Sequence, residues 1–188
     1  HRRLMFAFAR DFGALAAAYD LTRDERFAAG AVAHLRAWFV DPATRMNPNL
    51  QYAQSIRGVS TGRATGLIDT VHLAEVALGI RVLQVSSAFD APTQTAVKAW
   101  FRDYLQWLQT HPYGIEEGNA ANNHGTCWAL QVACFARLLD DRATIQELRR
   151  RFKEVILPKQ MAADGSFPLE LARTKPYGYS LFNLDVMS

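Results

Sequence analysis

Residues 4–40 read LMFAFARDFGALAAAYDLTRDERFAAGAVAHLRAWFV, and this stretch decides the fold. Large apolar side chains recur every three or four residues before Tyr19 and again after Asp24, which is the spacing of one helix face. Only a few residues separate the two periodic segments, and Asp24 is a residue type that caps helix starts. The stretch therefore predicts two antiparallel helices, at residues 4–19 and 24–40.

Helical periodicity continues along the rest of the chain, whereas the alternation typical of strands is weak. Further helices are predicted at residues 67–86, 92–110, 123–139 and 143–156, the last ending ahead of Pro158. Repeated helix–turn–helix units indicate an all-α fold of stacked antiparallel pairs, arranged as a solenoid or a closed toroid. The absence of a repeat of fixed period argues against a regular repeat protein.

Composition limits the class of protein. The chain has 188 residues, 49% of them hydrophobic and 21% charged, which suffices for one globular domain with its own core. The net charge of +3 suits an anionic ligand without requiring one. Both ends look like cuts through a larger protein, so we expect a single domain over residues 1–188 that is truncated at both termini.

Several classes of site and partner are not indicated. Cys127 and Cys134 stand seven residues apart on a predicted helix, which is too far for a disulfide. No histidine lies at ligand spacing from them, so we predict buried apolar cysteines and no zinc. Basic residues form no stripe with interleaved aromatics that would indicate nucleic acid, and no apolar run is long enough to span a membrane.

Three long segments, residues 41–65, 111–121 and 158–179, are predicted to be non-helical. Loops of this length in a helical domain are usually functional. Their amides, arginines, acids and tyrosines are typical of a sugar-binding surface: Asn47, Asn49, Gln51, Tyr52, Gln54, Arg57, Arg63, Glu116, Glu117, Asn119, Arg173, Tyr177 and Tyr179. We therefore expect a polar polymer to bind along these loops.

The pentapeptide Asn122-Asn123-His124-Gly125-Thr126 stands at the predicted start of the helix at residues 123–139. One of the two asparagines is expected to cap this helix. An adjacent amide and imidazole exceed what a cap needs, and the positive end of the helix suits a substrate carboxylate. This pentapeptide is the first candidate for chemistry.

The segment from Arg173 to Tyr179 is the second candidate, and we predict a loop bent at Pro176 and Gly178. Such a bend presents the phenol of Tyr177 or Tyr179 to a cleft near a guanidinium. An amide, an imidazole, an arginine and a tyrosine can together remove a proton from a carbon beside a carboxylate, without a metal or a cofactor.

Two alternatives remain open from the residues alone. In a glycoside hydrolase, Glu116 or Glu117 would act with another carboxylate such as Glu170, because hydrolysis needs two carboxyl groups that face one bond. A non-catalytic glycan-binding protein would use the polar loops on the same scaffold. Reducing ends without a new double bond would indicate the hydrolase, and affinity without cleavage would indicate the binding protein.

The sequence resembles the alginate lyase family of polysaccharide lyases from about residue 45 to the end. The similarity runs through NPNLQYAQ at residues 47–54, GR and GLID within residues 62–69, NNHGT at 122–126, and DGS and PLELART within residues 164–174. It continues through residues 179–184. The Asn-Asn-His and Leu-Glu-Leu-Ala-Arg motifs are fairly specific in combination.

The resemblance implies an incomplete α/α toroid whose helix pairs surround a cleft. The implied reaction is β-elimination on a uronate-containing glycan, so the expected partner is an alginate-like polysaccharide or oligosaccharide. No cofactor and no metal are expected, and neither a nucleic acid nor a membrane is expected as a partner. A periplasmic or secreted location is expected with this activity.

By the same resemblance, Asn123, His124, Arg173 and Tyr179 are the expected catalytic residues. The first three would neutralise the uronate carboxylate, and Tyr179 would act as base and acid. Tyr177 stays an alternative because Tyr179 lies one residue closer to the arginine than in the family pattern, and His124 is an alternative base for the opposite C5 configuration. The expected substrate-binding residues are Asn49, Gln51, Tyr52, Gln54, Arg63, Asn122 and Tyr177.

Overall fold

A computed structural model describes residues 2–188, and every regular element in that range is a helix. The α-helices are α1 (Arg2–Thr22), α2 (Glu25–Leu35), α3 (Leu73–Leu83), α4 (Ala91–Thr110), α5 (Pro112–Gly118), α6 (Asn123–Leu138), α7 (Arg142–Arg151), α8 (Leu157–Gln160), α9 (Pro168–Leu171) and α10 (Pro176–Met187). Two π-helical turns, Arg36–Val40 and Phe152–Ile156, extend α2 and α7, and a 3-10 helix covers Ala64–Thr70. The all-helical prediction is confirmed.

The same device reverses the chain after α1 and after α6. Arg23 and Asp140 adopt left-handed backbone conformations, with φ of 57° and 58°, and so end the two helices. The next residue in each case is an aspartate that caps the following helix. Asp24 accepts a hydrogen bond from the backbone N–H of Arg26 at 2.9 Å, as predicted, and Asp141 accepts one from Thr144 at 3.0 Å. These turns generate the antiparallel pairs α1–α2 and α6–α7.

The core lies between successive helices. Helix α1 packs against α2 and α3, α3 packs against α6, and α6 packs against α7 and α10. Large side chains such as Phe12, Tyr104 and Phe135 are fully buried between them. Both cysteines are free and buried, as predicted. Pairs of helices stacked in this order form the incomplete α/α toroid that we expected.

Two of the three predicted loops contain helices. Residues 111–121 contain α5, and residues 158–179 contain most of α8, all of α9 and the first turn of α10. The predicted helix end ahead of Pro158 is wrong, because α8 continues directly from the π-helical turn Phe152–Ile156. The helices α5, α9 and α10 each carry a proline in their first turn, where the missing N–H loses no helical hydrogen bond. Tyr177 and Tyr179 therefore stand on a helix and not on a bent loop.

Residues 41–63 lack regular helix, as predicted, but they are anchored to the helical scaffold. The backbone N–H of Arg63 donates to the carbonyl of Ala53 at 3.1 Å, which folds the segment back on itself. The hydroxyl of Tyr113 on α5 donates to the carbonyl of Gly62 at 3.0 Å. A Cβ at Gly62 would collide with the backbone carbonyl of Gln51, so this close approach requires glycine.

Candidate functional site

Helix α6 begins at Asn123, and the N–H groups of its first turn are bonded within the protein. Asn122 caps the helix by accepting a hydrogen bond from the backbone N–H of His124 at 3.1 Å, as expected for one of the two asparagines. The backbone N–H of Asn123 donates to Oε1 of Glu170 at 2.6 Å. The expectation that this helix end receives a substrate carboxylate is therefore wrong, because the Glu170 carboxylate occupies it.

The side-chain amide of Asn123 is held by the same carboxylate. Its Nδ2 donates to Oε1 and Oε2 of Glu170 at 2.9 and 2.8 Å. A carboxylate only accepts hydrogen bonds, so the amide nitrogen must face Glu170. The two carboxylate oxygens lie in nearly the same direction from Nδ2. One N–H of the amide therefore donates to both oxygens, and the second N–H points away from Glu170. Asn123 and Glu170 are each 1% exposed, which fixes this amide at the base of the site.

His124 meets a second buried carboxylate, from Glu117 on α5. Nδ1 of His124 lies 2.6 Å from Oε1 of Glu117. The His124 side chain is 17% exposed and that of Glu117 only 3%, so the imidazole lies between the buried acid and solvent. Burial raises the pKa of Glu117 above its usual value, and the hydrogen bond with His124 opposes that rise.

This geometry does not favour the glycoside hydrolase alternative. Glu117 and Glu170 are both buried, and each is bonded to a different residue of the pentapeptide. Glu116 is exposed on α5. A hydrolase needs two carboxyl groups open to the same glycosidic bond, and this pair instead supports neighbouring side chains.

Arg173 lies two residues beyond the end of α9 and contacts the aromatic ring of Tyr179. Its guanidinium carbon is 4.2 Å from the centroid of the Tyr179 ring, within the range of a cation–π contact. Both residues are partly buried. Tyr177, on the first turn of α10, is 76% exposed. Of the two candidate phenols, Tyr179 is therefore the one beside the arginine.

The predicted catalytic residues form two pairs that Glu170 connects. Asn123 and His124 are adjacent at the start of α6, and Arg173 and Tyr179 are in contact at the start of α10. Glu170 bonds Asn123 and lies three residues before Arg173 on the chain. Helix α10 packs against both α6 and α9, which keeps the two pairs on neighbouring elements. Within residues 2–188, no hydrogen bond joins one pair directly to the other.

The predicted sugar-binding residues of the first irregular segment line a separate cavity of about 720 Å³. Its polar and aromatic lining includes Arg2, Trp38, Asn47, Asn49, Gln51, Tyr52, Gln54 and Asp69. Arg63 donates to the carbonyl and the side-chain oxygen of Gln54, at 3.1 and 3.0 Å, and so orients a lining residue without lining the cavity itself. None of the four predicted catalytic residues lines it.

Buried Tyr104 makes a hydrogen bond with Thr70, a residue that lines this cavity. Its hydroxyl is 2.6 Å from Oγ1 of Thr70. Burial raises the pKa of Tyr104 well above its usual value, and the charges of Asp69 and Glu117 add to that rise. Asp69 lines the same cavity, and Glu117 is the acid that contacts His124.

The hydrogen bonds from the two buried acids to Asn123 and His124 were not predicted from the sequence. The sequence suggests Glu170 only as one carboxylate of a hydrolase, and its neighbours give no signal of its burial, because Leu169 and Leu171 are half exposed while Glu170 is buried. The burial of Glu117 has no signal either, because nothing in the sequence shows that Glu117 is buried while its neighbour Glu116 is exposed.

Within residues 2–188, no group of three or more His, Cys, Asp or Glu side chains is arranged to hold a metal ion.

Comparison with protein families now places the chain. The model of the alginate lyase family matches residues 1–188. The chain belongs to the alginate lyase family. This alginate lyase family member also superposes on a crystal structure of an alginate lyase from Bacteroides ovatus with a TM-score of 0.95 and 34% sequence identity. The resemblance and the fold class predicted from the sequence are thereby confirmed.

The superposition covers 99% of this chain and 50% of the Bacteroides ovatus chain. This alginate lyase family member therefore spans half the length of that relative. A search of curated proteins gives no match. Among residues 2–188, no helix combines the length and the apolar character needed to cross a membrane.

Proposed function

We propose that this member of the alginate lyase family is a polysaccharide lyase that cleaves a uronate-containing glycan by β-elimination. The observation that carries the proposal is the contact between Arg173 and Tyr179, which places a cation beside a partly buried phenol. Arg173 forms no salt bridge with any carboxylate of residues 2–188, so its charge can meet an anionic ligand. Family membership and the amide and aromatic side chains that line the cavity support a glycan substrate.

The difficult step is removal of the C5 proton of the uronate, because the carbanion forms beside a negative carboxylate. A cation at that carboxylate lets the charge spread onto its oxygens as an enediolate. We assign this task to Arg173, the one cation of the predicted catalytic set, because Asn123 is buried and already donates to Glu170. Preorganised donors of this kind supply about 3 kcal/mol each.

Tyr179 is the proposed base and acid. Its phenolate takes the C5 proton, the C–H electron pair forms the C4–C5 double bond, and the C4–O bond breaks. The phenol then returns a proton to the leaving glycosidic oxygen. The products are an unsaturated uronate and a new reducing end, and the tyrosine recovers its starting form. His124 is the alternative base for a uronate of opposite C5 configuration.

The test is incubation of the full chain with alginate, polymannuronate, polyguluronate and polygalacturonate, while the ultraviolet absorbance of the conjugated product is followed. A carboxyl-reduced polymer of the same length is the matched control, because it lacks the charge that Arg173 recognises. We expect absorbance from at least one uronate polymer and none from its reduced form. A folded protein that produces no absorbance on any of them would overturn the proposal.

A further inference from the structure

We propose that Glu117 is a positioning residue that holds His124 in one tautomer, with the proton on Nδ1 and the lone pair on Nε2. The inference rests on the proposed function and assigns a part in it to a residue outside the predicted catalytic set. A neutral imidazole has one donor and one acceptor nitrogen. Oε1 of Glu117 lies 2.6 Å from Nδ1, and an ionised carboxylate only accepts, so Nδ1 donates to Glu117 whenever this acid is ionised.

The backbone that carries Glu117 is fixed by contacts at the C-terminal end of α5. Arg151 donates to the carbonyl of Gly118 and to the side-chain oxygen of Asn119, each at 2.8 Å. Lys159 donates to the carbonyl of Asn119 at 2.6 Å. Both cations lie at the negative end of a helix, where they are favourable. Glu117 is therefore attached to an anchored element and cannot follow a rotating imidazole.

The ring of Trp128 closes the same end of α5. A Cβ at Gly118 would lie 2.9 Å from this indole, so the helix sits directly on the ring. The guanidinium of Arg151 lies 5.4 Å from the Trp128 ring centroid while it bonds Gly118. Because Trp128 belongs to α6, these contacts fix Glu117 relative to the helix that carries His124.

Within the described residues, the side chain of Glu117 makes a hydrogen bond only to His124. An acid that served the fold alone would be expected to bond backbone groups or to pair with Arg or Lys. The hydrogen bond of this buried carboxylate instead goes to His124, whose side chain is itself partly exposed. This arrangement is that of a carboxylate that orients a histidine toward a ligand.

The tautomer decides what His124 can do for the substrate. With the proton on Nδ1, Nε2 accepts a hydrogen bond or takes a proton, and it cannot donate to the uronate carboxylate. If Nε2 takes a proton, the imidazolium forms beside the Glu117 carboxylate, which stabilises it. His124 therefore acts as an acceptor or base, and neutralisation of the uronate carboxylate falls to Arg173.

The experiment combines a spectrum with kinetics on the full chain. In protein labelled with ¹⁵N-histidine, the His124 resonances are assigned by their loss in His124→Gln, and their shifts report which nitrogen carries the proton. We expect the Nδ1–H form in the wild type and in Glu116→Gln, the matched control. In Glu117→Leu, which offers no acceptor, we expect a shift toward the Nε2–H form that free histidine prefers.

Turnover should follow the tautomer. We expect Glu117→Leu to lower kcat by roughly tenfold or more with little change in KM, because binding groups are untouched and only the orientation of His124 is lost. Glu117→Gln keeps an oxygen that can accept from Nδ1, so it should recover part of the lost turnover. Glu116→Gln should match the wild type.

The outcomes separate the two proposals. A wild-type spectrum that shows Nε2–H overturns the inference without any variant, even if Glu117→Leu fails to fold. A wild type that cleaves uronate while Glu117→Leu turns over equally fast also overturns it and leaves the proposed function standing. A wild type that cleaves no uronate overturns the proposed function, and the catalytic role of Glu117 falls with it.

Discussion

The guanidinium of Arg173 lies over the ring of Tyr179, with 4.2 Å between the guanidinium carbon and the ring centroid. Arg173 lies two residues beyond the end of α9, and Tyr179 is the second of the two tyrosines in the first turn of α10. A cation that faces a phenol in this way can also meet an anionic ligand that reaches the phenol. In the proposed function, this pair would supply the charge that recognises a uronate and the group that exchanges its proton.

Replacement of Tyr179 by Phe should lower kcat on uronate polymers by about 100-fold or more, because the proton-transfer group is lost. The ring that Arg173 contacts is retained, so the melting temperature should change little. Initial rates from product absorbance, together with a thermal melt, measure both effects.

Tyr177→Phe is the matched control for this variant. Tyr177 stands two residues earlier on the same helix and is 76% exposed, so its hydroxyl should be dispensable for both turnover and stability. If Tyr177→Phe lost activity and Tyr179→Phe kept it, the base would be Tyr177. If both variants kept full activity, the phenol mechanism would be wrong.

Glu170→Ala should destabilise the fold by roughly 3 kcal/mol. The substitution leaves the backbone N–H and the side-chain amide of Asn123 without their acceptor in a site that is 1% exposed. Chemical denaturation monitored by circular dichroism gives the free energy of unfolding. Glu154→Ala, which removes an exposed acid bonded to Arg150, should change that free energy by no more than about 0.5 kcal/mol. Equal effects of the two variants would contradict the role of Glu170.

Gly125 and Gly178 offer opposite tests of the two ends of the site. A Cβ at Gly125 would collide with the carbonyl oxygen of Ala120, so Gly125→Ala should destabilise by about 2 kcal/mol. A Cβ at Gly178 would lie 4.0 Å from Cβ of Lys175, an ordinary contact. Gly178→Ala on helix α10 should therefore stabilise by up to about 1 kcal/mol. Denaturation of both variants against the wild type would show whether the signs differ.

Helix caps and helix positions could be predicted from the sequence, because they depend on residues that are close along the chain. The caps at Asp24 and Asn122 bond backbone groups two residues away, so residue type and position sufficed to predict them. The helices that form the toroid were predicted from the spacing of their apolar residues. These features hold because the interacting groups are close along the chain.

Features that depend on contacts between residues far apart in the chain could not be predicted from the sequence. Glu170 contacts Asn123 across 47 positions of sequence, and no local pattern indicates which acid will contact which amide.

The prediction of a loop around Tyr179 is wrong for a different reason. Proline was interpreted as a bend, whereas Pro176 occupies the first turn of α10, where it is compatible with a helix.

Glu117 should make the stability of the fold depend on pH in a specific direction. Burial raises its pKa above the value of 4.5 for an exposed glutamate, and His124 opposes part of that rise. The folded chain thus binds this proton more tightly than the unfolded chain does. The stability contributed by the group is complete below pH 4.5 and is lost as the pH rises through the folded-state pKa.

Glu117→Gln removes this pH-dependent loss of stability, because the glutamine amide stays neutral as the pH rises from 4.5 through the folded-state pKa of Glu117. We therefore expect the free energy of unfolding of the variant, relative to its parent, to increase as the pH is raised from 4.5. Both proteins should carry His124→Gln, so that titration of the imidazole does not enter the comparison. In the same background, Glu116→Gln alters an exposed carboxyl and should give a difference that hardly varies with pH. A Glu117→Gln difference that stayed constant or fell with pH would show that the buried carboxyl is not destabilised by its surroundings.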